Sequence, residues 1–90
     1  MGPAKTVKWY TKAAIQGNPS AQVNLGVLLA RGSGTEPDLP RAYMWFSVAA
    51  EQGDDMGKSK LDFLVGKISS RQVAECQRLL AEWKRNRTSH

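Results

Sequence analysis

The 90 residues predict an all-α, right-handed superhelical solenoid in which two helix-turn-helix repeats of 36 residues are followed by a C-terminal capping helix. Three observations carry that reading. KWYTKAAIQG at 8–17 is nearly written again as MWFSVAAEQG at 44–53, each copy is followed by signals that stop one helix and start another, and Ile68-Ser69-Ser70-Arg71-Gln72-Val73 opens a last segment that is apolar on one side only.

The repeat is a matter of spacing. Trp9 and Trp45 stand 36 positions apart, and the same offset relates Tyr10 to Phe46, Ala13 to Ala49, Ala14 to Ala50, Gln16 to Gln52, Gly17 to Gly53 and Leu25 to Leu61. Periods of 20–50 residues mark solenoids, because each unit leaves an apolar face that only a neighbour can cover. Within each unit Gly17 or Gly53 sits where a helix C-terminus takes a left-handed residue, and Asn18 with Pro19, or Asp54, caps the helix that follows. The breaker-rich loop RGSGTEPD at 31–38 separates the units, and Asp38 ahead of Leu39-Pro40 is a further cap. Helices are therefore expected near 4–16, 19–31, 39–52 and 55–65.

In the helix at 19–31, Ala21, Leu25 and Leu28 form one apolar stripe and Val23, Val27 and Ala30 another, so it is expected in the interior with neighbours on both flanks. Ser69 and Gln72 form a capping box for the fifth helix, with Ile68 and Val73 as a hydrophobic staple. Its Val73, Cys76, Leu79, Leu80 and Trp83 share one arc opposite Arg71, Glu75, Arg78, Glu82 and Arg85, the pattern of a terminal cap. The chain reads as one domain over 1–90: repeat 1 at 4–38, repeat 2 at 39–66, the capping helix at 67–85 and a disordered basic tail at 86–90.

Trp9 to Asn18 and Ala21 to Gly34 follow the pattern W-[YF]-x-x-A-A-x-Q-G-[ND] then A-Q-x-x-L-G-x-x-x-x-x-G-x-G, which resembles the Sel-1-like repeat, a relative of the tetratricopeptide repeat. The second unit follows it through Gly53 but has Gly57-Lys58 in place of Ala-Gln and Asp62 in place of Gly, so its second helix is expected to be shorter or looser. Residues 67–85 resemble the closing helix of many bacterial members. The resemblance implies a protein-interaction adaptor or scaffold that binds a peptide or protein surface on the concave face, which the first helices of successive units line in related solenoids.

Composition and charge narrow the alternatives. The net charge of +5 invites a small basic nucleic-acid-binding module as the other reading, yet residues 67–90 account for +4 of it, as expected of a wet helix face and its basic tail. No nucleic acid is expected as partner. No apolar run approaches the ~20 residues of a membrane span, and no signal peptide is apparent, so the cytoplasm is expected if the chain is complete as given. His90 is the last residue and no nucleophile is grouped with it, Asp54 is spoken for as a cap, and Cys76 reads as a small buried hydrophobe. Neither an enzyme nor any cofactor or metal site is expected.

For the partner, Lys5, Lys8 and Lys12 form a basic strip on the first helix, with Arg41, Met44 and Val48 as their counterparts in the second repeat. The four aromatics Trp9, Tyr10, Trp45 and Phe46 are expected in the core, since recurring aromatics are usually what a stack is built from. The first helix is apolar on two sides, and its outer side has nothing before it in the chain. Either a longer array or a homodimer through this N-terminal edge is expected to cover it.

Overall fold

The computed structural model describes residues 3–88, with side chains from 5 to 86, and His90 lies outside that range. Five helices follow one another: α1 (Pro3–Ile15), α2 (Pro19–Arg31), α3 (Leu39–Glu51), α4 (Asp55–Val65) and α5 (Ser70–Thr88). There is no strand among the described residues.

The two hairpins repeat down to their hydrogen bonds. At the first turn Gly17 has φ 100°, its N–H donates to Ala14 O (3.0 Å) and that of Asn18 to Ala13 O (3.2 Å). At the second Gly53 has φ 90°, its N–H donates to Ala50 O (2.9 Å) and that of Asp54 to Ala49 O (3.2 Å), the same pairs 36 positions on. A positive φ is nearly free for glycine and costly for other residues, which is why the phrase ends in Gln-Gly both times. Asn18, Asp38 and Asp54 each accept a hydrogen bond from the backbone N–H three residues on, at 3.0, 3.1 and 2.9 Å. The box at Ser69 closes both ways: its Oγ accepts from Gln72 N–H (3.2 Å), while Gln72 Oε1 accepts from Ser69 N–H (3.1 Å).

α2 is the interior helix, packed on α1 and on α3. Gly26 makes the closest approach, since a Cβ there would sit 2.8 Å from Cδ1 of Phe46 and nearer still to Cε1. Gln22, wholly buried, ties three helices: its Nε2 donates to Ala14 O of α1 (3.0 Å) and its Oε1 accepts from Nε2 of Gln52, just beyond α3 (2.7 Å). Around this bridge Ala14, Leu25, Phe46, Val48 and Ala49 form the core, each full burial of a large side chain being worth about 1.5–3 kcal/mol.

α4 is shorter than α2, eleven residues against thirteen. Gly57 lets it approach α3 closely, because a Cβ there would lie 2.9 Å from that of Ala49.

Three expectations need correction. Trp9 is 67% exposed rather than core. Its counterpart Trp45 is covered by the ring of Trp83, which meets it edge-on with centroids 4.8 Å apart, and α1 has no such cover among the described residues. Secondly, the capping helix α5 packs along α3 and makes no comparable packing on α4, so it leaves part of the α4 face uncovered. Where α2 offers Gln22 and Gly26 to α3, α4 carries Lys58 and Asp62, and burying charges under another helix is expensive. Met56, Phe63 and Val65 of α4 stay exposed as a result, with Lys67 Nζ 4.9 Å from the Phe63 ring centre. Thirdly, α5 continues through Thr88, past the expected boundary at 85, so residues 86–88 are helical rather than part of a loose tail.

Candidate functional site

A groove of about 420 Å³ lies between α1, α3 and α5. Leu25 and Leu29 of α2 form its floor, Val7, Thr11 and Ile15 of α1 one wall, and Leu79 and Trp83 of α5 the other, with Met44 and Trp45 of α3 between them. Arg41, Glu82 and Asn86 add polar groups at its edge. Helical spacing explains the α1 wall: residues 7, 11 and 15 recur every fourth position and so share one side. On α5 the spacing of Leu79, Glu82, Trp83 and Asn86 does the same.

The groove is apolar inside and charged at the mouth. Arg41 Nε lies 3.2 Å from Asp38 Oδ2, and Arg78 reaches both Glu75 and Glu82, its Nη1 3.0 Å from Glu82 Oε2. The hydrogen bond from Arg78 holds the Glu75 carboxyl below its usual range, and Glu75 in turn holds the guanidinium proton more firmly. Lys84 Nζ lies 2.8 Å from Glu51 Oε1 and fastens α5 to the end of α3. These exposed pairs contribute little to stability.

Lys5, Lys8 and Lys12 are exposed and lie together on α1, sharing a depression of about 670 Å³ with Val7, Trp9 and Thr11. Val7 and Thr11 belong to both hollows, so the basic strip borders the groove. Arg41 stands at the groove and Met44 within it. Met44, 4% exposed, lines the groove with little of its surface open, whereas Val48, 5% exposed, does not line it. The sequence pattern put Val48 on the lysine side of its helix, but in the second repeat α2, α4 and α5 all pack on α3 and bury it. The α5 wall was missed from sequence, because α5 was expected over the open end of the stack. The apolar arc Leu79-Trp83 was the available signal; which helix it meets depends on tertiary packing.

Among the described residues no chemistry-bearing cluster competes with the groove. Cys76 is wholly buried and desolvation pushes its thiol up to about 11 from an ordinary 9.0, the setting of an inert structural thiol. Among the described residues no three His, Cys, Asp or Glu side chains group as metal ligands, and no helix is long and apolar enough to cross a membrane.

Comparison with known proteins adds context to this geometry. A family model described as Sel1 repeat matches residues 3–18 and 19–54, more than half of the chain. The second match spans one full period, from α2 through α3, whereas 3–18 is the offset counterpart of 39–54 alone. A chitin synthase regulator, SKT5, of the fungus Malassezia restricta is 38% identical over 58 residues, which are 64% of this chain and 4% of that protein. The chain thus spans a small fraction of that relative's length, and a fungal relative gives no support to a bacterial origin.

Proposed function

Since the chain belongs to the Sel1-repeat family, whose repeats mediate protein–protein interaction without catalysis, we propose that it is an adaptor that holds a peptide or the surface of another protein in the groove between α1, α3 and α5. The groove itself carries the reading: it is apolar within, polar at its mouth and wide enough for one or two large side chains, the usual anatomy of a recognition site. Lys5, Lys8, Lys12 and Arg41 lie beside it, and their charge steers a partner's acidic groups toward the mouth. That the similar fungal protein is called a regulator of another enzyme fits an adaptor's role.

A random-peptide display library panned on the chain tests this. Recovered peptides should bind the wild type and lose affinity for Ile15→Arg, which changes a 55% exposed residue of the groove wall and so leaves the fold intact. Equal binding to both proteins would move the site elsewhere. A nucleic-acid module would instead take up a DNA or RNA duplex with an affinity that falls steeply with salt and ignores Ile15.

A further inference from the structure

On the reading that the groove is the binding site, we infer that its occupant is a peptide segment with an aspartate or glutamate one or two residues from its apolar anchor, and that the outer nitrogens of Arg41 take the carboxylate. Of the polar side chains lining the groove, Glu82 and Thr11 are already engaged: Glu82 pairs with Arg78, and Thr11 Oγ donates to Val7 O at 2.6 Å. Arg41 is engaged on one edge only. Its backbone N–H donates to Asp38 Oδ1 (3.1 Å) and its Nε lies 3.2 Å from Asp38 Oδ2, while neither Nη1 nor Nη2 has a partner among the described residues. Asp38 is itself fixed as the N-cap of α3, so the guanidinium is anchored by one edge and leaves the other open. A planar fork with two free N–H groups matches the two oxygens of a carboxylate.

The place of Arg41 sets the spacing. Residues four apart share one side of a helix, so Arg41 and Trp45 line the groove one turn apart, a rise of about 6 Å along α3. An extended peptide advances about 3.3 Å per residue. A side chain seated against Trp45 and Trp83 therefore has its neighbour, or the residue after that, within reach of the guanidinium. The charge around the mouth favours an acid there. Asp38 and Glu82 are countered by Arg41 and Arg78, whereas Lys5, Lys8 and Lys12 on the α1 side form no ion pair among the described residues and leave a positive surplus.

Peptides selected from the random library on the wild-type chain are the probe. They should carry the acid at that spacing, and replacing it by the corresponding amide should weaken binding about tenfold. Against Arg41→Gln, a change at a side chain 55% exposed that leaves the fold intact, the acidic and amide peptides should bind alike. Arg41→Lys keeps the charge without the fork and should restore only part of the difference; full restoration would overturn the two-pronged contact. Peptides that need Ile15 yet bind wild type and Arg41→Gln equally would overturn this inference and leave the groove as the site. So would an acid preference that survives Arg41→Gln and disappears when Lys5, Lys8 and Lys12 are all changed to serine, which would give the carboxylate to α1. Peptides indifferent to Ile15→Arg would overturn the inference and the groove together.

Discussion

Replacing Gln22 by methionine conserves its volume and removes only its polar bridge, so the change isolates what holds the two repeats together. Two hydrogen bonds are lost, one to Ala14 O at 3.0 Å and one from Gln52 Nε2 at 2.7 Å. Each is worth about 0.5–1.5 kcal/mol net. The orphaning penalty is small: Ala14 O still accepts from Gly17 N–H, and Gln52 is exposed and can bond to water. The sum is a loss of about 1–3 kcal/mol, a large share of the stability of a domain this small. Urea unfolding followed by circular dichroism measures it, with an unchanged slope showing that the fold is retained. A double-mutant cycle with Gln52→Ala should return a coupling of about 0.5–1.5 kcal/mol. Wild-type stability for Gln22→Met, or no coupling to Gln52, would refute the bridge.

Other expectations are as direct. Gly26→Ala gains up to ~1 kcal/mol of helix propensity but forces a methyl group into the Phe46 ring, an overlap costing about 1–3 kcal/mol, so thermal melts should show net destabilisation. Trp83→Ala should cost about 2–3 kcal/mol, less than for a core tryptophan because Trp83 is half-buried, and should shift the emission of Trp45 to the red. Cys76 sets a pH dependence. The unfolded thiol ionises near 9.0 while the buried one holds its proton to about 11, so its contribution is intact below pH 9 and lost as pH rises toward 11, by up to about 2–3 kcal/mol. Denaturant titrations of wild type and Cys76→Ala should diverge across that window, and native Cys76 should react slowly with a thiol reagent.

Local signals were legible in the sequence, and contacts that depend on which helix meets which were not. Gly17 and Gly53, and the caps Asn18, Asp38, Asp54 and Ser69, act within a few residues of themselves, so helix bounds could be read to within a residue or so for the first four helices. Trp9 was misplaced because the repeat offset equates it with Trp45, while burial of Trp45 depends on Trp83, far along the chain. Met44 and Val48 were placed on an open face by their offset from Lys8 and Lys12, but α3 has neighbours that α1 lacks. The Gln22–Gln52 bridge was half-visible: Gln16 and Gln52 stood out as a repeated pair, yet nothing local says that Gln52 reaches back 30 residues.

The proposal that a partner occupies the groove is tested most directly by mapping backbone amide shifts in NMR while a library-selected peptide is titrated into the chain. The account predicts that the largest changes fall on Thr11, Ile15, Met44, Leu79 and Trp83, on the three helices that line one groove, and that Ile15→Arg removes them. Shifts confined to α4, or spread along the basic face of α5 and abolished by salt, would contradict it.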